Sequence, residues 1–419
     1  MDSAAVEEQL RTIVGPDHLR PAGKGDAVCD AVVRWVAEPG TEQEAAAVLR
    51  CANDAGLGVI PRGGGTKLGW GNPPARADLI LSMTRLKRIE HAWADLTVIV
   101  DAGCTVHRLQ EELAKCGQRL AIDPLWPERA TIGGMLSSND SGSLRLGYGG
   151  LRDLVIGSTL ALADGTLASS GGRVVKNVAG YDLSKLVTGA LGTLGVITRA
   201  IFRLHPLPKI TRTLSFSAGN AAEMQRSMLA VQDSALGHSA LEMHFARDVP
   251  PRANILLEGT EAGMASQERK AREILRPMLV SESSAGVWSE RQNLLTGLDA
   301  GAMATAKMSV LPTSVAKIAD AARRVSDNRS LHWASLMEGT GIGWLRVEGK
   351  PEALQQGLGE LREEIERDGG SLVVLTQPTS ANRVETWGTT GAPASLMRAL
   401  KNQFDPKGTL NPGRFAGGI

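Results

Sequence analysis

The 419-residue chain lacks an excess of either charge, clustered thiols and any long apolar run. A net charge of +1 gives no reason to expect nucleic acid or an anionic membrane as partner. No apolar stretch approaches the ~20 residues that a membrane-spanning helix needs, so no transmembrane segment is expected. The four cysteines, Cys29, Cys51, Cys104 and Cys116, form no C-x-x-C pair. Zinc and iron–sulfur ligation need clustered thiolates and find no support here. The seven histidines are dispersed and H-E-x-x-H does not occur, so no metal site is expected. The N-terminal stretch "MDSAAVEEQLRTIVG" is acidic and amphipathic, unlike a signal peptide, which points to a cytoplasmic protein.

Glycine is what the chain has in excess: 48 residues, above the usual ~7%, concentrated between Gly56 and Gly195. Otherwise the composition, 42% hydrophobic and 22% charged, is that of an ordinary globular protein with room for two or three domains. In "PRGGGTKLGWG", Pro61 to Gly71, a short buried strand at Leu57 to Ile60 runs into three bare residues. Outward N–H groups in such a turn make a concave anion site, and Arg62 and Lys67 suit a phosphate. A glycine-rich surface turn is the alternative. The stretch matches neither G-x-G-x-x-G nor the P-loop.

The first ~120 residues read as α+β with short connections. Thr41 and Glu44 form a capping box for the helix "TEQEAAAVLRCANDAG", and Gly56 stops it. Strands are expected at "AVVRWVAEP", "DLILSM" and "LTVIVDAG", and a helix at "TVHRLQEELAKCG". Asp164-Gly165 marks a hairpin between "VIGSTLALA" and "TLASS". After Pro208 two rounds of strands and helices alternate, which predicts an antiparallel sheet with helices on one face. The last stretch, "FDPKGTLNPGRFAGGI", reads as an ordered return onto another domain.

Taken together, "PRGGGTKLGWG", "TIGGMLSSNDSG", "GGRVVKNVAGYDLSKL", "GTLGVITRAIFRLHPLP" and "FDPKGTLNPGRF" resemble the FAD-binding PCMH-type oxidoreductases, the vanillyl-alcohol oxidase superfamily. Within it, "KNVAGYDLSKL" and "FDPKGTLNPGRF" look most like the FAD-binding subunits of glycolate oxidase assemblies. The resemblance is strong over Pro39 to Pro208 and extends to the last ~16 residues; over the cap it is one of architecture. It implies an α+β fold: a two-part FAD domain at 1–208, a ferredoxin-like α+β cap at 209–378, and a returning segment at 379–419. Pro61, Arg62, Gly63, Gly64, Gly65, Thr66 and Lys67 match the loop that cradles the FAD pyrophosphate, mainly through backbone N–H groups. Thr131, Gly133, Gly134, Ser137 and Ser138 match the second loop, whose hydroxyls can donate hydrogen bonds, and Gly142 matches the glycine that closes it. Gly195, Val196 and Ile197 match the strand start against the adenine side.

Two departures matter. Thr66 stands where relatives with covalently attached FAD have histidine, so the expected cofactor is noncovalent FAD. The run H-x-G-D-G-N-x-H, whose histidines can hold a metal or act as base in self-sufficient relatives, is absent. His238, His244 and His332 are read as ordinary strand histidines. Lys176, Asn177 and Tyr181, with Asp182, are then the candidates for flavin or substrate contact, and Asn411 and Arg414 are further candidates in the returning segment. The leading expectation is a flavin subunit of a glycolate (2-hydroxy-acid) dehydrogenase that oxidises glycolate to glyoxylate. Its partners would be a catalytic FAD subunit and an iron–sulfur subunit, which could hold it at the inner face of a membrane. Trp288, Trp333 and Trp344 would contribute apolar cap surface to that interface, or else ordinary core. A self-sufficient oxidase and a flavin-binding assembly subunit without turnover remain the alternatives.

Overall fold

A computed structural model describes residues 3–29, 31–173, 180–296, 303–378 and 383–419. The chain divides into two compact units. The first comprises Met1–Ser141, Gly149–Leu207 and Thr390–Ile419; the second comprises Gly142–Tyr148 and Pro208–Thr389. Against the expected cap at 209–378, the second unit also takes in Gly142–Tyr148 and runs on to Thr389. Close backbone packing explains the first difference, since a Cβ on Gly147 would sit 2.9 Å from the Ser239 carbonyl oxygen. Hydrogen bonds explain the second: Val374 N–H donates to Thr386 O (2.8 Å), which also accepts from the Arg362 guanidinium (3.2 Å).

In the first unit a four-stranded sheet has the spatial order Leu19–Pro21, Trp35–Ala37, Leu79–Ser82, Val59–Arg62, with the last three strands parallel. The helix Glu42–Asp54 links two of them. Thr41 Oγ1 accepts from Glu44 N–H (3.1 Å), Glu44 accepts from Gly40 N–H (2.7 Å), and Ala45, Val48, Leu49 and Ala52 are buried. The strand expected over "AVVRWVAEP" is confined to Trp35–Ala37. A second, antiparallel sheet runs Ile89–Ala92, Thr97–Asp101, Val196–Arg203, Val155–Ala161, Leu167–Gly171. Its hairpin turns at Asp164-Gly165, where Gly165 has φ +83° and Asp164 accepts from Thr166 N–H. The C-terminal return adds to the open edge of Val59–Arg62. Val59 N–H donates to Thr409 O (2.7 Å), Asn411 N–H donates to Val59 O (2.9 Å), and Leu410 between them is fully buried.

The second unit is two β-α-β-β-α-β halves in one sheet. The first has strands Ile210–Ser217, His238–Ala246, Val249–Gly259 and Ser281–Ser283, with helices Ala221–Gln232 and Glu261–Ile274. The second has strands Met303–Ser309, His332–Glu338, Ile342–Glu348 and Ser371–Thr376, with helices Val315–Arg329 and Pro351–Arg367. Spatial orders 4-1-3-2 and 2-3-1-4 join at their second strands, His238–Ala246 against His332–Glu338, into eight antiparallel strands. Each half has the ferredoxin-like connectivity. Strand alternation sorts the faces. Leu241, Met243, Phe245, Ile255 and Leu257 pack with Met224, Met228, Ile318, Leu354 and Leu358 of the helices. Glu242, His244 and Asn254 point the other way. Of the indoles read as either apolar cap surface or core, Trp333 and Trp344 are buried core, whereas Trp288 is half-buried and donates to Thr213 Oγ1 (2.9 Å). No described helix is long and apolar enough to cross a membrane.

Candidate functional site

The glycine-rich loops line one trough within the first unit. Its two overlapping parts enclose about 530 Å³ and about 420 Å³ of open space. Pro61 to Lys67 form one wall, Thr131, Gly134, Ser137 and Ser138 another, and Asn411 and Arg414 enter from the C-terminal return. Gly133, Gly195, Val196 and Ile197 border the second part, beside Ala102 and Gly192. Every expected cofactor residue except Gly142 therefore meets here. Gly142 belongs to the second unit. The segment after Ser138 is turned by Asn139, which sits in the left-handed region at φ +48° as the helix C-cap.

Both cations of the first loop already have carboxylate partners. Arg62 bonds Asp26 at 2.7 Å, and Lys67 Nζ lies 2.8 Å from Asp140 Oδ2 with both side chains buried. Lys67 also lies over the rings of Trp126 and Trp70, at 5.6 and 5.8 Å. Arg20 foremost, then the Gly23 N–H and Arg62, hold the Asp26 carboxyl well below the usual carboxylate range despite its burial. Beside their expected role toward a phosphate, Arg62 and Lys67 thus fix the loop through these carboxylates. Backbone donors face an anion here as well: no described residue accepts a hydrogen bond from the N–H of Gly64, Gly65 or Thr66.

The glycines are small for two different reasons. A Cβ on Gly63 would overlap Thr131 Oγ1, and one on Gly64 would overlap the Arg129 carbonyl oxygen, so the first loop packs on a side chain at Gly63 and on backbone at Gly64. Gly65 has φ +73°, which favours glycine outright. A Cβ on Gly134 meets only Thr131 Oγ1, at 3.3 Å, and Gly134 faces the trough. Gly133 and Gly134 also sit inside a helix, Ile132–Ser138, where the sequence suggested only a glycine-rich loop. Thr131 caps it by accepting from Gly134 N–H (3.4 Å), and Gly133 packs against Ala102. Ser138 donates its hydroxyl to Gly134 O at 2.7 Å, so its expected donation to a phosphate is spent inside the helix.

Asn411 is 6% exposed; its Nδ2 donates to Leu191 O (2.6 Å) and its Oδ1 is buried without a partner. Arg414 donates to Leu68 O (2.6 Å). Of the catalytic candidates, Lys176 and Asn177 lie outside the described residues. Tyr181 is 91% exposed and does not line the trough, while Asp182 caps the helix Leu183–Val187 through Lys185 N–H (3.0 Å).

The second unit carries a polar layer that the sequence reading missed. Glu242 and Glu338 are directly opposed across the junction of the two halves, both buried. Arg145 and Arg291 lie 3.6 and 3.9 Å from Glu338, Trp344 Nε1–H donates to Glu338, and Ser143 donates to Glu242. His244 Nδ1 lies 3.0 Å from Glu290, which also pairs with Arg252, and His244 Nε2 lies 3.7 Å from Glu242. Burial would push the imidazole down, but the two carboxylates outweigh it and hold its pKa above the ordinary value. Burial likewise opposes ionisation of Glu290, yet His244 and Arg252 hold its pKa down. Charged residues alternating with apolar ones in "ALEMHFA" were the available signal.

The trough fits a dinucleotide-type cofactor: bare amides for an anion, a buried acceptor for a donor, and glycines where backbone must come close. An FAD binding domain family model matches residues 33–171. Along 98% of its length the chain is 25% identical to glycolate oxidase subunit GlcD of Bacillus subtilis (strain 168), covering 96% of that protein. It is 26% identical, over 97% of its length and 94% of the other, to D-2-hydroxyglutarate dehydrogenase of Xanthomonas citri pv. viticola. Identity rises to 36% with D-lactate dehydrogenase of Archaeoglobus fulgidus, over 41% of this chain and 38% of that one. In fold it superposes on p-cresol methylhydroxylase with a TM-score of 0.80 at 16% identity, covering 98% of this chain and 96% of that one. Alkyldihydroxyacetonephosphate synthase gives 0.78 at 16% identity, covering 98% and 85%. A trough of this construction and these relationships together make the chain an FAD-dependent oxidoreductase with the PCMH-type fold.

Proposed function

We propose that the chain is the flavin-bearing subunit of a 2-hydroxy-acid dehydrogenase of the glycolate type, which works with a second, catalytic FAD subunit and an iron–sulfur subunit. The observation that carries this reading is similarity to a glycolate oxidase subunit along essentially the whole chain, combined with the absence of H-x-G-D-G-N-x-H from the sequence. FAD supplies a two-electron acceptor for turning a CH–OH group into C=O. The amides of Gly64, Gly65 and Thr66 bind its diphosphate, and the Lys67–Asp140 and Arg62–Asp26 pairs hold those amides in place. The iron–sulfur partner would supply a single-electron acceptor for the reduced cofactor.

A second reading, a self-sufficient hydroxy-acid dehydrogenase, is favoured by the full-length similarity to a D-2-hydroxyglutarate dehydrogenase. Anaerobic mixing with glycolate, D-lactate or D-2-hydroxyglutarate separates the two. Under the first, the flavin of the isolated chain keeps its visible absorbance and is reduced at a catalytic rate only in the assembled complex. Rapid bleaching of the isolated chain would establish the second.

A further inference from the structure

Asn411 is built as a hydrogen-bond acceptor aimed at the cofactor. Its backbone is left-handed, at φ +42°, and is held there by donation of its N–H to Val59 O. Its Nδ2 is committed to Leu191 O at 2.6 Å, which fixes the amide orientation and leaves Oδ1 as an acceptor. That oxygen is buried, has no partner, and belongs to a residue lining both parts of the trough. A buried acceptor without a donor is costly, so the site calls for a ligand that brings one.

The diphosphate of FAD carries no donor near neutral pH; its sugar hydroxyls and ring N–H groups do. We propose that Asn411 is a specificity residue whose Oδ1 accepts a hydrogen bond from a hydroxyl or ring N–H of FAD. The C-terminal return thereby completes the cofactor site, because Leu410 extends the sheet edge and delivers Asn411 to the trough. The inference rests on FAD as the occupant and is independent of the hydroxy-acid reading.

The test is the dissociation constant of the full chain for FAD, ADP and FMN, in wild type and Asn411→Gly. Glycine tolerates the positive φ, so the variant removes the amide without forcing the backbone. The expected result is FAD binding weakened about fivefold or more, the scale of one lost hydrogen bond. The loss should be shared by only one fragment: ADP if the donor is on the adenosine half, FMN if it is on the flavin half. Unchanged FAD affinity would overturn the proposal, and so would an equal loss for ADP and FMN, which marks general loosening. Should the variant not fold, the wild type labelled with ¹³C,¹⁵N-asparagine decides: the Asn411 carboxamide resonances shift on saturation with FAD, and unmoved resonances overturn the proposal. A wild type that takes up no FAD would overturn both this inference and the cofactor assignment.

Discussion

Lys67 Nζ lies 2.8 Å from Asp140 Oδ2, with the lysine side chain 7% exposed and the aspartate fully buried. The pair ties the glycine-rich loop to the segment that follows the helix Ile132–Ser138. Removing one member of a buried ion pair leaves the other charge uncompensated, which typically costs about 3–5 kcal/mol. Lys67→Met is therefore expected to lower the unfolding free energy of the FAD-free protein by about that amount, as read by urea titration. A variant of unchanged stability with weakened FAD binding would show instead that Lys67 serves as a phosphate cation.

Gly64 and Gly134 are expected to fail differently. Gly64→Val drives a side chain into the Arg129 carbonyl and should lower thermal stability even without FAD. At Gly134 the first Cβ contact is Thr131 Oγ1 at 3.3 Å, so Gly134→Val should fold and lose FAD. Circular dichroism melting beside flavin absorbance checks both. Full flavin occupancy in a stable Gly134→Val chain would remove that residue from the cofactor wall.

The His244 pKa, raised by Glu242 and Glu290, makes a signed prediction about pH. A group whose pKa is higher folded than unfolded stabilises fully below its unfolded value and loses that contribution as pH rises through the folded value. Glu290 behaves oppositely, its pKa being lowered, so its share fades only as pH falls through that lowered value. The stability difference between wild type and His244→Gln should therefore be larger near about pH 6 than near about pH 9. Urea unfolding at the two values tests it, and a difference that grew with pH would contradict the pairing.

Flavin should leave the chain on acid or heat denaturation, because Thr66 offers no imidazole at the loop. Fluorescence of the supernatant after precipitation measures the release. Flavin that migrates with the denatured polypeptide would disprove it.

Local chemistry was enough to read much of this protein. Thr41 with Glu44 announced a helix, Asp164-Gly165 a hairpin, and the alternation after Pro208 a sheet covered on one face by helices, because capping, turn geometry and periodicity act between near neighbours in sequence. The run at Gly63 to Gly65 marked the trough for the same reason: bare backbone is visible one residue at a time. Partner choice is not local. Whether Arg62 and Lys67 were free for a phosphate depended on Asp26 and Asp140, which only folding brings within 3 Å. Gly64 proved to be small for Arg129 and not only for a ligand. The opposition of Glu242 to Glu338 arose from how two halves of the cap sheet register. Asn411 became an acceptor in search of a donor because tertiary structure engaged its nitrogen with Leu191 and buried its oxygen. Sequence by itself determined the backbone elements and the glycine loops; the long-range pairing of charges and amides, set by the packing of distant segments, was decided by the fold.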